Sequence, residues 1–440
     1  MRWKPPLIAT LVLILIAGFV YLYEIRGKRE KVREEKAEHS LYQYDDDGIG
    51  SIELWCRGER VRLSLQEEGW KILKPVDYPA DGEIVARVIS SLRKARILTF
   101  IEEAEKLHQY NLSPAPITIT ITTKSGQRLP SLWIGDETPL KGEYFAMQEG
   151  RNKILVLSKE IALFQSVDLF ALRDKRLLPF SRWDISEFRI IKRGKELRFK
   201  NRSGLWDMME PMEFPADEAR VASVLNALES TEVKKFIDDV SSLSRYGLET
   251  PSLSISYRGE KDYWYRIDFG DPEGEGSLHV KRNDRDPILV VDESSFEPAA
   301  GDAMDFMERK ISKRNRYNVR EFIISSDELT VKGTMGGDGE WADPDSGQKM
   351  DKGSVYMLLA AILEMKYADF IKRDADSERW IGSSRHLLQV TIKGDGFSEE
   401  LACSKDPSGN AYLLNSSVTS VIFKISMEQI RSIQKSLLRF

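Results

Sequence analysis

The sequence predicts an α+β protein: three tandem ββαββββα modules, each an antiparallel sheet with packed helices, behind one N-terminal transmembrane helix. Three observations predict it. A tryptophan–proline–aspartate pattern recurs along the chain, short alternating stretches flank each copy, and the first thirty residues contain an uncharged apolar run.

The repeat is read first at Trp70, Pro75 and Tyr78-Pro79-Ala80-Asp81, and again 136 residues on at Trp206, Pro211 and Phe214-Pro215-Ala216-Asp217. A third, divergent copy begins at Trp341 and reaches Asp351 without the Pro-Ala pair. A period this long is domain-sized, unlike the 20–50 residues of solenoid repeats. After each aspartate comes the same apolar stripe: Val85, Val88-Ile89 and Leu92; Val221, Val224-Leu225 and Leu228; Val355, Leu358-Leu359 and Ile362. This is the i, i+3, i+4, i+7 spacing of an amphipathic helix. Asp81, Asp217 and Asp351 stand where an N-cap accepts hydrogen bonds from the free amides of the first turn. Phe100, Phe236 and Phe370, each followed by isoleucine, lie at one offset beyond the helix. Tyr110, Tyr246 and Trp380 follow ten residues later, with a turn expected at Asn111 and Gly247.

Two strands precede each helix. Ile52–Leu54 and Val61–Leu65 alternate apolar and polar residues, as half-buried strands do, and the other copies repeat them. About four strands follow, in the first copy Ile117–Ile121, Leu132–Ile134, Tyr144–Met147 and Ile154–Leu157. A closing helix begins near Lys159, Glu293 and Met427. The expected boundaries are a short tail over 1–6, an anchor over 7–23, a charged stalk over 24–48, and modules over 49–180, 181–315 and 316–440. Trp70, Trp206 and Trp341 read as packing residues, Pro75 and Pro211 as structural positions of the repeat, the Pro-Ala pairs before Asp81 and Asp217 as an extended approach to the helix, and the aspartates as caps.

Leu7–Tyr23 carries no charge and would rise about 25 Å as a helix, enough for a thin bilayer. It lacks a small-x-small cleavage site, so it reads as an uncleaved signal anchor, with a cleaved signal as the alternative. Six basic residues between Arg26 and Lys36 would place the following body in the cytoplasm.

The net charge of −5, with both signs interspersed, argues against a nucleic-acid binder. Cys56 and Cys403 match no metal or redox spacing and read as buried thiols. The Asp45-Asp46-Asp47 run lacks the alternating ligands of a calcium loop. His39, His108, His279 and His386 form no helical metal pair and occupy non-equivalent repeat positions. Gly333–Gly339 reads as a hairpin turn, since it lacks the Gly-Lys-Ser/Thr ending of a phosphate loop. Gly135-Asp136 and Gly270-Asp271 also read as turns. No catalytic residue, cofactor or metal is expected.

Trp70…Pro75…Tyr78-Pro79-Ala80-Asp81, Phe100-Ile101, Tyr110-Asn111-Leu112, Ile134-Gly135-Asp136 and Leu172-Arg173-Asp174-Lys175 together resemble the DUF4340 family, a domain of unknown function. The resemblance covers residues 50–440. It implies an accessory component encoded with ABC-type exporters of the gliding-motility kind, its bulk outside the cytoplasmic membrane, and it brings no catalytic residues. The expected function is thus a membrane-anchored, non-catalytic binding protein of the cell envelope, single-pass in the cytoplasmic membrane with a periplasmic body. Its expected partners are the membrane and ABC transporter subunits or an envelope polymer. An envelope hydrolase with a site between modules and a cytoplasmic-facing scaffold are the alternatives.

Overall fold

A computed structural model describes residues 10, 13, 14, 16, 18, 19, 21, 39–42, 48–56, 58–102, 104–259, 263–374, 386–405, 409–416 and 418–440. The tail over 1–6, most of the anchor stretch, the stalk over 24–38, the Asp45–Asp47 run and Trp380 lie outside them.

The first module is a nine-stranded antiparallel sheet. Its strands are β1 (Ile49–Cys56), β2 (Glu59–Gln66), β3 (Gly69–Lys74), β4 (Tyr78–Pro79), β5 (Ile97–Ile101), β6 (Ile117–Thr123), β7 (Leu132–Glu137), β8 (Tyr144–Gln148) and β9 (Ile154–Leu157). They lie in the order β4-β3-β2-β1-β6-β7-β8-β9-β5. Two further nine-stranded sheets, with strands from Glu187–Lys192 to Ile288–Asp292 and from Val319–Ser326 to Val418–Ile425, repeat this order strand for strand.

The architecture is therefore mostly β, which corrects the α+β ββαββββα reading. Each sheet has three strands that the sequence reading missed. The tryptophan stretch is a strand (Gly69–Lys74), Tyr78-Pro79 forms a two-residue edge strand, and the Phe100 stretch pairs with β9. These pieces are too short or too uniformly apolar to show a period of two. Two of the three closing helices shrink to 3₁₀ turns, Lys159–Gln165 and Glu293–Ala300. Ser158 makes no side-chain cap in the first, and Pro298 interrupts the second. Only the third, Met427–Leu437, is an α-helix, opened by a reciprocal Ser426–Gln429 capping box.

No helix among the described residues is long and apolar enough to cross a membrane. The structure therefore does not support the single-pass anchor over 7–23, nor with it the placement in the cytoplasmic membrane with a periplasmic body; most of that stretch lies outside the described residues.

By contact density the chain forms two compact units. One comprises Met1–Arg182, Leu228–Ser254 and Tyr265–Ser295; the other comprises Trp183–Ala227, Ile255–Trp264 and Phe296–Phe440. Within the first unit the core is the inner face of the first sheet. Ile117, Ile119 and Ile121 of β6 point inward beside Ile52, Leu54, Val61 and Leu63. Helix α1 (Gly82–Lys94) covers that face with Val85, Val88 and Leu92. The helix starts at Asp81, whose carboxylate accepts from the Glu83 and Ile84 amides.

The same unit contains a seam between β4 and Lys235–Ile237 of the second sheet. Tyr78 meets Phe236 edge-on at 5.5 Å, and Phe170 meets it at 5.8 Å. Arg173 is 2 % exposed and lies 4.6 Å over the Phe236 ring. It forks onto both Asp238 oxygens at 2.8 and 2.9 Å. Burial pushes the Tyr78 phenol up to about 12. The second unit contains the corresponding seam, where Phe214 stacks on Phe370 at 6.2 Å beside Tyr367 and Phe423. There Met307 takes the bridge position that Arg173 holds in the first seam. The third copy has exposed Gln348 where the others have Tyr78 and Phe214.

Helix α2 (Glu218–Ser230) follows Asp217, and helix α3 (Lys352–Leu363) begins at Asp351, which accepts from the Ser354 amide at 2.7 Å. That bond holds the Asp351 carboxyl below the usual aspartate range. Its stabilisation is complete above the unfolded-state pKa of about 3.9 and is lost as pH falls through the lower folded-state value. Wild type should therefore exceed Asp351→Asn in denaturant stability at pH 7, and the gap should close in acid; a gap independent of pH would contradict the assignment.

Candidate functional site

The polar residues that recur in every copy are committed to structure. Asp81, Asp217 and Asp351 cap helices, Asp217 through the Arg220 amide at 2.9 Å. Trp206 and Trp341 are buried and Trp70 is half-buried against the first core. Pro75 and Pro211 each follow a cis peptide bond between the third and fourth strands of their sheets. Phe236 and Phe370 lie in the two seams, whereas Phe100 is met by His39 at 6.0 Å and Lys153 at 5.7 Å. Gly135 and Gly270 sit inside strands rather than in turns: a Cβ there would collide with the Tyr110 and Tyr246 carbonyl oxygens. Cys56 and Cys403 are buried thiols, and burial pushes Cys403 up to about 12.

One recurring feature escaped the sequence reading. The last inward residue of the eighth strand is a buried polar side chain: Gln148, Arg282 and Asn415. Each donates to a carbonyl of the segment entering its module, at Leu41 (2.7 Å), Arg176 (2.6 Å) and Ile311 (2.7 Å). The available signal was a polar residue closing the equivalent strand of each copy, at a spacing of 134 and 133 residues.

The third entering segment is strongly basic. Four of the seven residues in Lys310–Arg316 are basic. They wall a cavity of about 450 Å³ against the last turns of α3, with Glu308, Tyr317 and Glu364 completing its rim. A second cavity of about 240 Å³ shares Glu308, Lys310, Lys313 and Arg314 and has Phe214 and Phe423 as its apolar wall.

Glu399, fully buried, pins this segment. It accepts from Ser312 Oγ at 2.9 Å and Asn415 Nδ2 at 2.6 Å, and Arg314 Nε lies 3.4 Å away. Arg314 also covers the Phe397 ring at 4.6 Å. Arg316 donates to the Tyr317 hydroxyl at 3.2 Å, which raises its pKa further. Tyr317 packs edge-on against Tyr356 at 5.1 Å. In the first module the matching segment has, besides its Gln148 bond, the Tyr42 hydroxyl, which donates to the Pro130 carbonyl at 3.1 Å. The result is a cationic surface on a fixed backbone, suited to holding carboxylates or other anions.

A family described as a domain of unknown function, DUF4340, matches residues 70–204 and 206–380. The chain belongs to the DUF4340 family. The two matched segments start at or next to Trp70 and Trp206, so the DUF4340 repeat begins inside a sheet, after its first hairpin. No similar sequence was found among curated proteins. Among solved structures, one from a study of a Ca2+-stabilised adhesin with which an Antarctic bacterium binds ice aligns over 85 % of this chain and 90 % of its own. Identity is 9 % and the TM-score 0.08, so it carries no argument about fold or function. Among the described residues no cluster of three or more His, Cys, Asp or Glu could hold a metal ion.

Replacing Glu399 should free the linker. Glu399→Ala removes a buried carboxylate and leaves Ser312 and Asn415 without that acceptor, costing about 1–3 kcal/mol, and Glu399→Gln should cost less. Limited trypsin digestion should then cut at Lys313 or Arg314 faster than in wild type, with Glu399→Gln intermediate; unchanged cleavage would show that Glu399 does not hold the segment.

Proposed function

We propose that this DUF4340 chain is a non-catalytic binding protein, an accessory component of an ABC-type transport system, and that it meets an acidic surface of a transporter subunit through the Lys310–Arg316 segment. The observation that carries this reading is the exposed, basic character of that segment. Equivalent polar groups elsewhere in the repeat are committed to caps, seams and tethers, whereas Lys310 and Lys313 line two open cavities. A cationic rim beside the aromatic wall of Phe214 and Phe423 suits a protein surface with acidic and apolar groups. The choice of a transporter as partner rests on the family resemblance.

The test is a photo-crosslinker at position 313 in the full chain, co-expressed with the permease and ATPase subunits of its transport system. A crosslink to one of them is expected. It should weaken when Lys310→Glu is added or when salt is raised, because screened charges attract less. Crosslinking to an envelope polymer alone, or to a transporter subunit with no response to Lys310→Glu, would overturn the proposal.

A further inference from the structure

The outer face of the second sheet carries a second cationic arrangement, independent of the third linker. In strands Glu187–Lys192 and Lys195–Arg202 the core-facing pairs are Phe188↔Phe199 and Ile190↔Leu197. Between them, on the opposite face, Arg189 stands directly across from Arg198, and Glu187 across from Lys200. Like charges directly opposite destabilise an antiparallel pair. The other two sheets avoid this at the same register position, with Glu53↔Arg62 in the first and Ile323↔Lys332 in the third.

The nearest carboxylates leave the donors of the two guanidinium groups without a hydrogen bond at normal length. Glu187 is committed to Arg258 at 2.7 Å. Glu196 lies 3.8 Å from Arg189 and Glu210 lies 3.7 Å from Arg198, both beyond hydrogen-bond length. The Nε atoms of Arg189 and Arg198 are buried and have no acceptor among the described residues. Trp264 fixes the arrangement from the adjoining loop: the Arg189 guanidinium lies 4.0 Å from its ring centroid and that of Arg258 lies 5.2 Å away. Stacking holds the planar group while its edge donors stay available for an oxyanion. These residues line a cleft of about 260 Å³ with four cations and one carboxylate.

We infer that this cleft is a binding site for a phosphoryl group, with Arg189 and Arg198 as forked donors, Lys200 as the third cation and Trp264 as the platform. A doubly charged tetrahedral oxyanion matches both the excess charge and the donors better than a single carboxylate does. It would also relieve the Arg189–Arg198 repulsion, so binding should raise stability.

Inorganic phosphate is the probe, titrated calorimetrically into the full chain at low salt, with acetate as the carboxylate arm. Saturable binding of phosphate, and not of acetate, is expected. Arg198→Gln should weaken it by about tenfold or more, since a charge-assisted donor is lost. Lys200→Gln should weaken it less, and Arg62→Gln, the same charge change at the equivalent place in the first sheet, should leave it unchanged. Circular dichroism checks that each variant is folded. The site is disproved if wild type gives no saturable heat, if acetate binds equally well, or if Arg62→Gln and Arg198→Gln weaken phosphate alike.

Discussion

Three buried side chains, Gln148, Arg282 and Asn415, fix the path by which the polypeptide enters each sheet. Each donates to a main-chain carbonyl of the segment that enters its sheet. Leu41 and Ile311 are buried, and an unsatisfied buried carbonyl costs on the order of 1–3 kcal/mol, so at these two the bond constrains the entering segment even where its net stabilisation is modest. With that segment held, its backbone runs beside the strand after the helix: Ile97 donates to His39 at 3.0 Å, and Ile311 donates to Met365 at 3.1 Å. The chemistry of the three side chains differs, but the acceptor is always backbone, so the sequence can vary while the path stays the same.

The seams use the segment just before this tether. In the first unit Asp81 donates through its amide to Leu172, and Arg173 is enclosed between Tyr78, Phe236 and Asp238. In the second, Asp217 donates to Phe306 and Met307 is buried in the same place. A charged, stacked guanidinium and a thioether thus serve one geometric role. The first arrangement requires a carboxylate partner and the second does not, which explains why Asp238 has no acidic counterpart beside Phe370: that position is Lys372.

Much of this was legible in the residues. The aspartate caps and the apolar helix stripe follow from position alone, because both depend on local backbone geometry. Asn111 and Gly247 do adopt positive φ, 53° and 67°. The fold class was misread because two-residue edge strands such as Tyr78-Pro79 have no periodicity, and because closing helices were inferred where Pro298 or a missing cap permits only a 3₁₀ turn. Gly135 and Gly270 were misread because close approach of a distant carbonyl leaves no local sign. The candidate surfaces were invisible for a related reason. Arg189 and Arg198 become neighbours only through strand register, and Lys310–Arg316 becomes a cationic wall only because buried Glu399, some ninety residues later, pins it.

The central claim is that the side-chain-to-carbonyl tether, and not the entering segment's own sequence, sets where each module begins. Hydrogen exchange in Gln148→Leu and Asn415→Leu variants tests it most directly. Loss of protection should concentrate at Ile97 in the first variant and at Ile311 and Tyr367 in the second, leaving the opposite module's amides near their wild-type rates. Unchanged protection at those amides, or loss spread evenly over all three sheets, would contradict the account.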